Sequence, residues 1–185
     1  MVASWRAVTP DDYAVRVKAL GAGEKMESDV AKYDIVTTWR GGMASQTCCH
    51  SCIVGEILQP SHGQVIHADE PEALGGKGRA ANPQELLLAA FNACMTAAFV
   101  HEASRENIGL TSLEIQTWGE LSTGIPVSCK PSTRNVPGRI QYIIHVSGAG
   151  NISQYEHLHR RVITLSPNRW LLSQNMTIEG NLVVT

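Results

Sequence analysis

The sequence predicts an α+β fold in which antiparallel sheets pack against helices, one of them buried at the centre. Three observations predict it. Strand-like alternation and helix-like periodicity follow one another without the regular βαβ order of a parallel sheet. One segment, residues 86–100, is apolar on nearly every side, interrupted only by Asn92 and Thr96, and is expected to be buried. The 185 residues are 43% hydrophobic and 17% charged, which supplies a core and is too little charge for extended disorder. At this length folding buries roughly 70% of the unfolded surface, so neither disulfide nor metal is needed for stability. We expect an extension over 1–30 and a single domain over 31–185.

The elements follow in order. Thr9 can cap a short helix over 9–20, with Pro10 at its first position, Asp11 and Asp12 in its first turn, and Gly21-Ala22-Gly23 beyond its end. Residues 33–40 alternate as a strand closed by Gly41-Gly42. A second extended segment spans 45–58, turns at Pro60-Ser61-His62-Gly63, and leads to a short strand over 64–68. A glycine-rich loop from Asp69 to Gly78 runs into Asn82-Pro83-Gln84-Glu85. There Asn82 is the cap, Pro83 the first helical residue, and Glu85 closes a capping box. This helix extends to about Arg105. Strands over 113–121 and 139–146 flank a Pro- and Gly-containing loop at 123–138. A second helix is marked by Tyr155, Leu158, Val162 and Leu165 and stops before Ser166-Pro167; a last strand covers 177–184.

Composition excludes several functions. Fifteen Lys and Arg face 17 Asp and Glu, a net charge of −2, which argues against phosphate-gripping nucleic-acid binding. Aromatic residues make up 5%, too few for single-strand stacking platforms. The apolar run would rise only ~22 Å as a helix, short of the ~30 Å hydrocarbon core, so no membrane partner is expected. No basic start precedes an apolar run, so no signal peptide is read. The five cysteines, an odd number, fit a reducing cytoplasm. Nothing calls for a cofactor or a metal.

Cys94 is the first residue that can do chemistry. It lies mid-helix among Leu87, Phe91 and Met95, and by position alone reads as a small core hydrophobe. The helix dipole has faded there, and His101 is ~10 Å further along the axis, so reactivity needs support from elsewhere. The whole segment carries more information. Asp69-Glu70-Pro71, Leu74-Gly75-Gly76 and the run from Asn82-Pro83 through Ala93-Cys94 resemble the OsmC/Ohr family, the osmotically inducible protein C and organic hydroperoxide resistance proteins. Gly109-Leu110, Leu113-Glu114-Ile115, Gly119-Glu120-Leu121 and the C-terminal helix and strand extend the resemblance over about 33–185.

The resemblance implies an intertwined homodimer and a thiol peroxidase acting in a stress response. Cys94 would be the nucleophile toward an organic hydroperoxide. A second cysteine beside a proline would close a disulfide, and an arginine and a glutamate would support the thiolate. Two positions depart from this pattern. Ser166 stands at the second-cysteine position before Pro167, and a hydroxyl forms no disulfide. Gln84 stands at the glutamate position and carries no negative charge. Glu85 lies on the opposite side of the helix from Cys94 at about 100° per residue, and its cap role explains it. Arg40 is the candidate cation, although its place at a strand end reads first as a solvated arginine.

These departures argue against a self-contained two-cysteine enzyme. They leave a one-cysteine peroxidase resolved by an external thiol or dithiol. They also leave a non-catalytic relative holding an apolar ligand at the dimer interface, and a redox sensor dependent on a partner. Cys48, Cys49, His50 and Cys52 share a predicted strand, with Cys49 facing away from the other three, so they read as strand residues before a metal knuckle or a resolving thiol. Cys129 reads as an incidental thiol, and His157, His159, Arg160 and Arg161 as a solvated basic face.

Overall fold

A computed structural model of the chain describes residues 31–55, 57–121 and 138–185. The helix expected over 9–20, most of the loop at 123–138 and Cys129 lie outside the described residues. The chain divides into two compact units, Met1–Thr37 with Thr47–Ile66 and Thr38–Gln46 with His67–Thr185.

The first sheet contains β1 (Ala31–Trp39), β2 (Ser45–Val54), β3 (Ile57–Gln59) and β4 (Val65–Ala68), with β2 flanked by β1 and β3 and also paired to β4. The expected single segment over 45–58 is therefore two strands. Gly55 at φ 61° turns the chain, and β2 and β3 pair antiparallel with Val54 opposite Ile57. Only glycine adopts that conformation without a steric cost, so the break falls there. β1 alternates strictly, with Tyr33, Ile35 and Trp39 exposed between half-buried neighbours. Asp34 accepts from His50 Nδ1 at 3.1 Å, and the Thr37 and Thr47 hydroxyls meet at 2.8 Å.

The second unit carries the core. It is built from α1 (Pro83–Arg105), β5 (Leu110–Glu120), β6 (Gly138–Gly148), α2 (Ile152–Leu165), α3 (Pro167–Ser173) and β7 (Met176–Val184). β5 and β6 pair antiparallel along nearly their full length, with one register shift between Leu110 and Ser112. β6 and β7 run parallel, from Gly138 opposite Met176 to Val146 opposite Val184. Antiparallel pairing thus holds for the hairpins. The last pair is parallel because α2 and α3 carry the chain back to the starting end of β6. α3 is an addition to the expected elements: Pro167 ends one helix and serves as the first residue of the next.

Phe91, Met95, Phe99 and Ala103 of α1 meet Ile140, Tyr142, Ile144 and Val146 of β6 and Tyr155, Leu158 and Val162 of α2, all essentially inaccessible. Each large side chain so buried contributes about 1.5–3 kcal/mol. Glycine is required at position 180, because a Cβ there would fall inside the Tyr142 ring. α1 is not buried all round in the single chain. Leu87 and Val100 stay 40% and 45% exposed, since β5, α2 and α3 cover only part of its circumference. Its length and composition would suit a membrane span, yet its Phe91–Ala103 stripe belongs to this core.

Candidate functional site

The approach to α1 is held by one carboxylate. Asp69 is buried; its Oδ1 accepts from Glu70 N at 3.0 Å, and its Oδ2 from Lys77 N and Arg79 N at 3.2 Å each. The loop closes further through Gly78 N to Glu70 O at 2.9 Å, and Gly76 passes so near the Glu70 backbone that no side chain fits. The glycine-rich stretch is thus an ordered lead into the helix. The capping box then forms as the sequence predicts: Glu85 N donates to Asn82 Oδ1 and Asn82 N to Glu85 Oε2, both at 2.8 Å. Asn92 fixes the helix on its sheet, donating to Ile115 O at 3.3 Å and accepting from the Thr117 hydroxyl at 2.6 Å.

This lead-in sets the phase of α1, which puts Cys94 beside the fully buried Met95 and one turn from Phe91. Cys94 itself is a half-buried free thiol. The Ser166 hydroxyl donates to its Sγ at 3.2 Å. Ser166 is wholly buried and is both the last cap of α2 and the first cap of α3. Its Oγ accepts from Arg169 N at 3.4 Å, and its own N–H donates to Val162 O at 3.0 Å. Asn168 Nδ2 donates to Ala90 O at 3.0 Å, a second tie between α3 and α1. The result is a thiol with a hydroxyl donor on its inner side and α3 clamped across it.

A second polar group sits on the core side of β6. With His159 neutral, the Tyr142 hydroxyl donates to His159 Nε2 at 2.9 Å, while the Tyr142 ring packs against Phe91 with centroids 5.7 Å apart. Burial pushes the Tyr142 phenol up, opposed by the charge of Arg169 nearby. Burial, with Arg169 and Arg160 adding to it, holds the His159 imidazole below its usual value. Arg169 Nη1 donates to Ile163 O at 3.3 Å, and its Nε is buried without a hydrogen-bond partner among the described residues.

The remaining sequence-predicted residues fall as follows. Gln84 is the second helical residue of α1, about 15 Å along the axis from Cys94. Arg40 follows β1 and is exposed; its Nε donates to Gln46 Oε1 at 3.0 Å, and no hydrogen bond joins it to Cys94. Ser166 is the one residue of the predicted set that is in contact with the thiol. Cys48, Cys49 and Cys52 are half-buried free thiols on β2, and no metal-holding group of three His, Cys, Asp or Glu occurs among the described residues. The basic face of α2 is not simply solvated. His159 turns inward to Tyr142, and Arg161 binds Glu102, because both flank the Leu158–Val162 stripe.

Sequence reasoning gave no role to Asp69, Glu102, Tyr142 or Arg169. Glu102 is buried at the far end of α1, also contacted by Arg105 at 3.1 Å and His101 at 3.4 Å; the Arg161 hydrogen bond holds its carboxyl below the usual range against the opposing effect of burial. For Arg169 a signal existed, since the third residue after a Ser-Pro cap donates to the cap oxygen. For Tyr142 and Glu102 the local sequence carries none.

The chain matches the OsmC-like protein family over residues 76–180. Its fold is similar to the OsmC-like protein of Mycoplasma pneumoniae at 18% identity and a TM-score of 0.61, covering 83% of this chain and 97% of that one. It is similar to an organic hydroperoxide resistance protein of Legionella pneumophila at 20% identity and a TM-score of 0.51, covering 81% and 96%. An organic hydroperoxide resistance protein of Vibrio cholerae, solved with captopril in one of its active sites, matches at 14% identity and a TM-score of 0.55, covering 86% and 96%. No curated protein matches the sequence.

Proposed function

This chain belongs to the OsmC-like protein family, and from that premise we propose that it is a thiol-dependent reductase of organic hydroperoxides with Cys94 as the nucleophile. The observation that carries the reading is the 3.2 Å contact between Cys94 Sγ and Ser166 Oγ. It joins the family's helix cysteine to the position where the family keeps its second thiol. The Cys94 thiolate attacks the terminal peroxide oxygen. The O–O bond breaks, and the alkoxide leaves and takes a proton to become an alcohol, while the sulfur becomes a sulfenic acid. Ser166 forms no disulfide, so an external thiol displaces water from that sulfur to give a mixed disulfide. A second thiol then releases Cys94. The apolar residues around Cys94 along α1, Leu87, Phe91 and Met95, favour an alkyl-bearing substrate over hydrogen peroxide.

The working form is a homodimer in a reducing cytoplasm. Leu87 and Val100 on α1 and, in the other unit, Tyr33 and Ile35 on β1 are large hydrophobic residues that one chain leaves open. The cation that would support the thiolate is assigned to Arg40, which follows β1, and Arg169 of α3, whose backbone N–H donates to Ser166 Oγ, is the alternative.

The test is consumption of cumene hydroperoxide by the purified protein with a dithiol reductant, against Cys94→Ser. Turnover that disappears in the variant supports the reading. Equal rates in both proteins overturn it and turn the apolar surroundings of Cys94 into a binding site for an unreactive ligand.

A further inference from the structure

We infer that Ser166 is a positioning residue for Cys94: its hydroxyl holds the sulfur in its reactive orientation and remains its hydrogen-bond donor when the sulfur is oxidised. The inference rests on the reading of Cys94 as the reacting thiol.

A buried hydroxyl needs a partner for its proton. Ser166 is 0% exposed, so water offers its O–H no alternative partner. Its oxygen receives the Arg169 N–H at 3.4 Å, and its single proton goes to Cys94 Sγ at 3.2 Å. A donor left unpaired in a core is costly, so the contact with sulfur is a built-in feature of the fold. The backbone gives the hydroxyl no freedom to leave. Ser166 N is bonded to Val162 O, and Ser166 O accepts from Trp170 N, both at 3.0 Å. Asn168 Nδ2 holds Ala90 O at 3.0 Å, one turn before the cysteine on α1. Donor and sulfur therefore sit on two elements that are tied together independently of their own contact.

The chemistry follows from the geometry. A hydrogen bond to a thiolate is charge-assisted and stronger than one to the neutral thiol. A donor on the inner side holds the sulfur in one rotamer and directs its free lone pairs away from the core, toward an incoming electrophile. After oxygen transfer the sulfenic sulfur can still accept from the same hydroxyl. No covalent bond joins Ser166 to the sulfur at any step, so Ser166 is neither oxidised nor reduced and acts on the reaction only through Cys94.

The experiment compares the full-length protein with Ser166→Ala, Ser166→Gly and Ser166→Thr. Two rates are read at Cys94 by peptide mass: alkylation by iodoacetamide, and single-turnover oxidation by cumene hydroperoxide with the sulfenic acid trapped by dimedone. Both rates are expected to fall about tenfold in the alanine and glycine variants, the size expected for losing one hydrogen bond to a charged group. Threonine, which keeps the hydroxyl, is expected to return them to within about threefold of the wild type. Glycine caps a helix nearly as well as serine, so Ser166→Gly keeps α3 in place should Ser166→Ala lose it. Rates in Ser166→Ala and Ser166→Gly within twofold of the wild type would overturn the inference. So would a tenfold fall that threonine does not restore, since packing would then account for it. A wild-type protein that does not react with the hydroperoxide would defeat the peroxidase reading alone, because the alkylation arm still decides the role of Ser166.

Discussion

The helices α1 and α2 start in the same way and are used differently. Each begins at an asparagine whose side chain and backbone exchange hydrogen bonds with the third helical residue, Glu85 in one and Gln154 in the other, at 2.8–2.9 Å. From there α2 is a two-sided helix. Tyr155, Leu158 and Val162 enter the core, and its exposed large hydrophobic residues, Ile152 and Leu165, lie at its two ends. α1 carries apolar residues around most of its circumference but buries one stripe, leaving Leu87 and Val100 open. Within one chain the middle of α2 buries its whole apolar stripe, whereas α1 buries only part of its apolar surface. The helix that carries the thiol is the one whose surface calls for another molecule.

Breaking α1 on its two faces should give the largest effects, of different kinds. Phe91→Ala removes a fully buried ring from the stripe and should lower stability by about 3–5 kcal/mol in urea unfolding. Val100→Glu, on the open face about 180° from Phe91, should leave the fold of the chain intact and weaken homodimer formation at least tenfold in analytical ultracentrifugation. If Val100→Glu instead unfolds the chain without changing its association, the two faces of α1 do not differ as described.

A smaller effect tests what the two helices share. Asn82→Ala and Asn151→Ala each remove one cap and should cost about 1 kcal/mol, read from the urea midpoint. Since α1 leads to the thiol and α2 ends at Ser166, both variants should leave a folded protein whose Cys94 still reacts. A marked difference between the two would mean that the Asp69 loop holds the start of α1 without its cap.

The smallest effect sharpens the comparison on the side of α2. His159 is held below its ordinary value in the folded state, mainly by burial. A base depressed on folding contributes stability that is present above its unfolded value, ~6.5, and is lost as the pH falls through the lower folded value. Wild-type stability should therefore drop on acidification from pH 7.5 toward 5.5, and His159→Gln should flatten that drop. Equal slopes in the two proteins would mean that His159 is not the group responsible.

Legibility followed the range of the forces involved. The start of α1 was readable because capping is local: Asn82, Pro83 and Glu85 satisfy one another within a single turn. The end of α2 was readable because Pro167 cannot continue it. The split of the second extended segment into β2 and β3 was not, since a lone Gly55 in a strand pattern is equally a bulge, a bend or a turn. The basic face of α2 misled for a related reason. Periodicity marks the centre of a buried stripe, and residues at its edge, His159 and Arg161, go inward or outward according to what stands opposite them. Tyr142 and Glu102 stand opposite, and they come from distant parts of the chain.

By itself the sequence determined the α+β class, the Asn82 cap of α1, the family to which the chain belongs, and the presence of Gln84 after Pro83 and of Ser166 before Pro167. Each of these is written in neighbouring residues or in a pattern along one element. The tertiary structure decided that β7 joins β6 in parallel, that Asp69 gathers the loop before α1, and that the Ser166 hydroxyl lies on the Cys94 sulfur. Those outcomes depend on contacts across long sequence separations, Cys94 to Ser166 among them, and such contacts form only once the core of Phe91, Tyr142 and Leu158 has brought α1, β6 and α2 together.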